Sequence, residues 1–273
     1  NIKTVTGSAI VKRNGDVPGD LITVSNNTNL TLGESDDSYS SVLTIDGGRS
    51  HFTYDVSYGA IIKVNGIGSL VTHDRIVIQN IIKRQHSNSN YGGAVYNAGM
   101  FDMYGGTIQL CYDYDGYGSG VYNTGTFRLY GGTIKDNGQA YHGSGVYNST
   151  SGLFEMYGGG ITDNDGGSYG GGVGNAGIFR LLGGSIDNNY ANSNGGVSNF
   201  YDGIIYMTGG AVSNNRSDYS NGGIFNLGTF YMSGGSVSGN TCPDKGGAFT
   251  NYGFLEITGG TIENNAAGSG GAI

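Results

Sequence analysis

One short phrase recurs seven times along this chain and limits what the chain can fold into. The phrase joins alternating apolar and polar residues to a Gly-Gly pair, as in "FDMYGGTIQL" at residues 101–110. Successive pairs are 26, 27, 25, 26, 25 and 25 residues apart, and their first glycines are Gly105, Gly131, Gly158, Gly183, Gly209, Gly234 and Gly259. A nearly constant step of this size predicts a repeat architecture, in which each repeat contacts mainly its neighbours.

The apolar residues inside each repeat alternate with polar ones, which indicates β-strands rather than helices. When the repeats are aligned, like residues fall in columns. One column, four residues before each pair, contains Phe101, Phe127, Phe154, Phe179, Ile205, Phe230 and Leu255. Each repeat therefore reads as one coil of about three short strands, and the sequence predicts an all-β, single-stranded parallel β-helix with 25–27 residues per coil. We expect it to be right-handed, because parallel crossovers nearly always are.

Two columns of asparagine strengthen this prediction. We expect the first to be an internal ladder at a tight bend, where Asn tolerates left-handed backbone and side-chain amides bond from coil to coil. It contains Asn97, Asn123, Asn148, Asn175, Asn199, Asn226 and Asn251. A second column closes the third strand with Asn137, Asn164, Asn189, Asn215, Asn240 and Asn265, and Cys111 takes its place in the first regular coil. The Gly pairs are expected to turn the corner between strands without Cβ clashes.

The repeats divide the chain into two parts. Residues 1–90 are less regular but rich in strand-like segments, and we interpret them as an N-terminal cap and the leading coils of the same helix. Residues 91–273 form the regular repeats, and the last of them stops at "SGGAI", where earlier ones continue as in "GGAVYN". The last coil is thus expected to be incomplete, which favours a segment of a longer protein or stacking on another subunit.

Charge and composition restrict the partners. The net charge of −8 would repel a polyanion, so we expect no nucleic-acid partner. The chain has no apolar run long enough to span a membrane, and we expect no membrane insertion of this segment. The two cysteines, Cys111 and Cys242, lie five coils apart and are expected to be free thiols.

Four short motifs resemble a known group of surface proteins. "GGAV" at residue 92, "GGIF" at 222, "GGAF" at 246 and "GGAI" at 270 resemble the GGA[ILV] half of the repeats in chlamydial polymorphic outer-membrane proteins. Similar repeats occur in adhesin-like surface proteins of Gram-positive bacteria and methanogens. The companion FxxN half is altered here to [IV]xxN, as in "IKDN" and "IENN". The resemblance covers roughly residues 40–273 and implies a β-helix at the cell surface or outside the cell.

An enzyme is the main alternative, because polysaccharide lyases and hydrolases also use β-helices with clustered carboxylates. One outward column carries Asp102, Arg128, Glu155 and Arg180, which alternate in sign. We interpret this column as a cross-strand charge ladder that fixes the register and solubilises the face. The histidines, including His73 and His142, are scattered and expected to be solvated or capping. No catalytic residue, metal site or cofactor is predicted; the faint calcium-like motifs at Asp113 and Asp163 lack the later acidic ligand.

Tyrosine is unusually abundant, with 21 copies and no tryptophan. Two outward columns are Tyr96, Tyr122, Tyr147 and Tyr104, Tyr130, Tyr157. The variable loop after the third strand adds Tyr112, Tyr114, Tyr117, Tyr141, Tyr169, Tyr190 and Tyr219. Stacked tyrosines favour β-structure in any case, but rigid amphipathic rings with few charges also suit a binding surface.

The sequence therefore predicts a non-enzymatic extracellular surface protein. We expect an adhesin or rigid stalk that binds a host or microbial surface glycan or protein through the Tyr-rich loops. A carbohydrate-active β-helix enzyme is one alternative. A self-assembling fibre subunit with end-to-end self-association is the other.

Overall fold

A computed structural model describes residues 8–14, 19–33, 41–48, 59–83, 92–114 and 116–273. The described chain is all-β and contains no helix, and its strands pair in parallel with strands of the preceding and following coils. Three long sheets, called sheets 1, 2 and 3 in the order in which each coil visits them, enclose one core. The predicted parallel β-helix is confirmed.

Sheet 1 holds nine strands, which begin with Val or Ile, or with Phe in the last strand, and from the third onwards end with the first Asn column: Ile22–Val24, Ile62–Val64, Val95–Asn97, Val121–Asn123, Val146–Asn148, Val173–Asn175, Val197–Asn199, Ile224–Asn226 and Phe249–Asn251. Sheet 2 also holds nine, which from the third onwards precede the Gly-Gly corners: Asn29–Leu32, Ser69–Thr72, Met100–Met103, Thr126–Leu129, Leu153–Met156, Ile178–Leu181, Ile204–Met207, Thr229–Met232 and Phe254–Ile257. From the third onwards, every strand of these two sheets therefore occupies the place that the repeat assigns to it.

Sheet 3 holds ten described strands and follows the Gly-Gly corners: Ala9–Lys12, Leu43–Asp46, Ile76–Lys83, Thr107–Asp113, Thr133–Lys135, Gly160–Thr162, Ser185–Asp187, Ala211–Ser213, Ser236–Ser238 and Thr261–Glu263. A short additional sheet, which the sequence did not predict, lies in the loops after sheet 3. Its strands are Asp165–Gly166, Tyr190–Ala191 and Arg216–Ser217. The described strands before residue 90 belong to the same three long sheets, whereas residues 1–7 of the expected cap lie outside the described residues.

The core consists of the aligned apolar columns. Phe101, Phe127, Phe154 and Phe179 are wholly or almost wholly buried, and their rings stack at centroid distances of 4.8, 4.9 and 4.6 Å. Stacking of identical rings is possible only because the parallel register places each Phe opposite the next. The register is therefore fixed by packing as well as by backbone hydrogen bonds.

Both Asn columns form ladders. In the first, each side-chain Nδ2 donates to the Oδ1 of the next coil's Asn at 2.7–2.8 Å, without a break from Asn97 to Asn251. In the second, from Asn137 to Asn265, the backbone N–H and the Nδ2 of one Asn both donate to the next Oδ1, at 2.9–3.1 Å. The backbone N–H of Cys111 begins the second ladder by donating to Asn137.

Left-handed backbone occurs elsewhere than expected. The first ladder's asparagines lie in strands, so the prediction that they adopt left-handed backbone is wrong. A positive φ angle instead occurs at the residue before each second-ladder position: Leu110, Asp136, Asp163, Asn188, Asn214, Gly239 and Asn264. The second glycine of every Gly-Gly pair is also left-handed, with φ between 69° and 95°, which confirms the corner role of the pairs.

Candidate functional site

The structure divides the seven loop tyrosines into three groups. Tyr117, Tyr141 and Tyr169 converge on His142 from successive coils. Tyr112 and Tyr114 lie at the end of the strand Thr107–Asp113, while Tyr190 and Tyr219 belong to later coils. Among the ring contacts of the described residues, only the first group forms a contiguous aromatic surface. With Tyr147 and Phe200 it is called the His142 cluster below.

The parallel register of neighbouring coils brings the rings of the His142 cluster together. Isolated parallel bridges place Tyr117 beside His142 and His142 beside Tyr169. Their rings consequently stack, with His142 at 5.3 Å from Tyr117 and 5.4 Å from Tyr169 between centroids. Tyr141 packs edge-on against His142 at 4.6 Å and is 49% exposed. The exposed Tyr141 ring therefore rests on a column of three stacked rings.

Gly174 leaves room for the sixth ring of the cluster, that of Phe200. In the column of Tyr96, Tyr122 and Tyr147, the next coil carries Gly174. A Cβ on Gly174 would meet Tyr147 at 3.0 Å and the Phe200 ring at 3.4 Å. Phe200 occupies this space and packs edge-on against His142 at 4.6 Å.

Burial keeps the cluster uncharged. Desolvation lowers the pKa of His142 to about 4, and it raises the pKa of Tyr147 to about 12. The Nδ1 atom of His142 is buried and meets no hydrogen-bond partner among the described residues. The expectation that His142 is solvated or capping is therefore wrong, because its ring is the centre of an aromatic cluster.

The other loop tyrosines make separate contacts. Tyr112 is half-buried, and its ring lies against Gly138, where a Cβ would come within 3.0 Å of it. The Tyr190 hydroxyl donates to Asp218, and the Arg216 guanidinium lies 6.0 Å from the centre of the Tyr190 ring. Tyr114 and Tyr219 are exposed, at 37% and 66%. They can contact a ligand but do not share a surface with the His142 cluster through any ring contact of the described residues.

The outward face of sheet 2 carries the predicted charge ladder. Arg128 bridges Asp102 at 3.3 Å and Glu155 at 3.4 Å, and Arg180 pairs with Glu155 at 2.9 Å. Glu155 is only 7% exposed, because its two arginine partners cover it. Each oxygen of the Glu155 carboxylate accepts from a different guanidinium.

Stacked tyrosines run beside the charge ladder. Tyr104, Tyr130 and Tyr157 stack at 4.7 and 4.9 Å, and His73 extends the column onto Tyr104 at 5.4 Å. On sheet 1 the column Tyr96, Tyr122 and Tyr147 stacks as well, at 5.6 and 5.5 Å. Tyr122 alternates with the inward-facing Val121 and Asn123, but it is only 6% exposed, and its ring lies between those of Tyr96 and Tyr147.

Other candidate chemistry is sparse in the described residues. Cys111 and Cys242 are free thiols, as expected, and both are buried. Burial raises the pKa of Cys111 to about 12. No group of three or more His, Cys, Asp or Glu side chains in the described ranges is arranged to hold a metal ion. His51 and His86 lie outside the described residues.

No family model matches this chain, and no curated protein or solved structure matches it either. Nothing in the described chain forms a helix of the length and hydropathy needed to cross a membrane.

Proposed function

We propose that this chain is a non-enzymatic binding segment of an extracellular or cell-surface protein, acting as an adhesin or rigid stalk. Its partner is a surface glycan or protein, contacted through the tyrosine-bearing loops after sheet 3. The observation that carries this proposal is the His142 cluster, in which six rings from successive coils gather at one corner of the solenoid.

The scaffold suits this role because it orders the rings before a partner arrives. Two continuous Asn ladders and stacked Phe side chains fix the coils against one another. Tyr side chains have few rotatable bonds, so holding them costs little conformational entropy and leaves more of the contact energy for binding. An exposed ring such as Tyr141 supplies an apolar face for a sugar or a side chain and a hydroxyl for hydrogen bonding.

The charge ladder favours binding over catalysis. A general acid or base must be able to exchange a proton with a substrate. Both oxygens of Glu155, the most buried carboxylate in the ladder, are instead engaged by Arg128 and Arg180. The surface location is supported by the resemblance of the repeats to those of chlamydial and adhesin-like surface proteins.

Binding to arrayed glycans and surface proteins, with loop variants, tests the proposal. Tyr141→Ser should weaken binding to a neutral glycan hit or a protein hit at least about tenfold, as expected for loss of an aromatic anchor. Tyr252→Ser is the matched control, because Tyr252 is 70% exposed but lies at the bend between sheets 1 and 2. Equal binding by the Tyr141 and Tyr252 variants would overturn the assignment of the His142 cluster.

A further inference from the structure

A second surface, on the opposite side of the coil from the loops, has the features of a site for an anionic ligand. The outward face of sheet 2 contains a depression of about 300 Å³ between two coils. It is lined by Arg180 and Leu182 from one coil and by Tyr206 and Thr208 from the next. The depression forms where the tyrosine column Tyr104, Tyr130, Tyr157 gives way to the smaller Leu182 and Thr208.

The charge ladder ends at this depression. Arg128 lies between two carboxylates, whereas Arg180 is followed by Tyr206 in register. Among the described residues Arg180 donates only to Glu155, through Nη1. Its side chain is 47% exposed, compared with 29% for Arg128. The guanidinium has five N–H donors in a planar fork, so several remain available to an anion in the depression.

An aromatic ring forms the far wall. Tyr206 stacks on Tyr231 at 5.2 Å with the two planes 7° apart. Because Tyr231 covers one face of the Tyr206 ring, the other face is turned towards the coil that carries Arg180. Tyr206 is 38% exposed, and Leu182 and Thr208 complete an apolar floor.

We infer that the depression at Arg180 and Tyr206 binds a carboxylate-bearing sugar residue, a uronate in an acidic saccharide. The sugar carboxylate pairs with the Arg180 fork, which matches the planar geometry of a carboxylate. The apolar face of the sugar ring packs on Tyr206, and a volume of about 300 Å³ is at the lower end for small-ligand sites. The net charge of −8 disfavours anions in general, so binding at this place requires the local guanidinium.

This site is independent of the His142 cluster, since the loops and sheet 2 lie on different sides of the coil. The test is calorimetric titration of the purified chain with trimannuronate and with its carboxyl-reduced, neutral counterpart. The wild-type chain should bind the acidic trisaccharide and bind the neutral one at least about tenfold more weakly. Equal affinity for both, or no binding of the acid at millimolar concentrations, would overturn the inference.

Variants locate the site. Arg180→Gln should weaken binding at least about tenfold. Arg180→Lys keeps the charge but loses the planar fork, so its affinity should lie between those of the wild-type chain and Arg180→Gln. The matched control is Arg128→Gln, which removes two ion pairs of the same ladder about 10 Å away, at two strand spacings. Binding that falls equally in Arg128→Gln and Arg180→Gln would show a non-local effect and contradict the assignment. Tyr141→Ser should leave uronate binding unchanged, which separates this site from the loop surface.

Discussion

The side-chain Nδ2 of Asn123 donates to the Oδ1 of Asn148 in the next coil at 2.8 Å, and Asn148 repeats the contact to Asn175 at 2.8 Å. The Nδ2 of Asn148 also donates to the backbone carbonyls of Gly152 and Ile178. One buried amide thus ties together its own bend and both neighbouring coils.

Replacing Asn148 with Ala should therefore destabilise the fold strongly. The change leaves the buried Oδ1 of Asn175 without its donor and opens a gap in the ladder. We expect a loss of about 2–4 kcal/mol in the free energy of unfolding, measured by urea denaturation. Asn29→Ala, at an exposed position with a single side-chain contact to Ser69, should cost less than about 1 kcal/mol. Similar losses in the two variants would show that the ladder contributes little to the free energy of unfolding.

Substitution by Ala should destabilise the fold at Gly159 but not at the adjacent Gly160. Gly159 has a φ of 74°, and a Cβ there would lie 2.7 Å from the carbonyl oxygen of Gly132. Gly159→Ala should cost at least about 2 kcal/mol. At Gly160 a Cβ would meet nothing nearer than 3.9 Å, and its neighbours in register are Thr133 and Ser185. Gly160→Ala should be neutral or stabilise by up to about 1 kcal/mol in thermal or urea unfolding. A larger loss of stability in Gly160→Ala than in Gly159→Ala would contradict the assignment of Gly159 to the left-handed corner.

The sequence was sufficient for the scaffold because the scaffold is periodic. Column membership predicted the strands, the aligned Phe column and the first Asn ladder, and the register followed from placing like residues opposite each other. The second Asn column was predicted only to close the third strand, so its ladder is a finding of the structure. The left-handed positions were misassigned, since Asn occupies both strand and turn positions and composition cannot separate them. Asp136 and Asp163, each before a second-ladder Asn, were the available signal for the true turn.

The candidate site was predicted only in part because it breaks the repeat. His142 joins Tyr117 and Tyr169 through isolated bridges in loops of unequal length, and no column alignment reveals that pairing. Gly174, which interrupts the column of Tyr96, Tyr122 and Tyr147, was a readable sign that another ring enters there. The loop tyrosines Tyr190 and Tyr219 belong to later coils, and among the described residues Tyr190 instead donates to Asp218.

Protonation of His142 should make stability depend on pH in the acidic range. Its pKa in the fold is about 4, below the ordinary value of about 6.5. Between these values the unfolded chain binds a proton that the folded chain does not, so stability falls as the pH drops from 6.5 to 4 and the contribution is constant below that. Allowing for partial exposure, we expect a loss of about 1–2 kcal/mol.

The variant His142→Phe, which keeps a ring in the stack, isolates this effect. Burial also raises the pKa of Asp165, but that group titrates in both proteins and cancels in the difference. Urea denaturation at pH 7 and pH 4 should show a smaller loss of stability for the variant. An identical pH dependence would place the titrating His142 in a solvated environment.

The thiols provide a test of coil order and burial. Cys111 and Cys242 are both buried and free, and the pKa of Cys111 is raised to about 12 by desolvation. Neither should react readily with a disulfide reagent such as DTNB at pH 8 in the folded chain, and both should react after unfolding in guanidinium. An intrachain disulfide detected by mass spectrometry would contradict the separation of the two coils.

Repeated-injection calorimetry with the saccharides selected on the array tests the proposed binding role most directly, because one trace records both association and turnover. We predict heat that saturates with added ligand and returns to the baseline after each injection. For a neutral saccharide, this heat should weaken in Tyr141→Ser. Sustained heat flow that persists until the saccharide is consumed, with new reducing or unsaturated ends in the cell, would contradict a non-enzymatic binding protein.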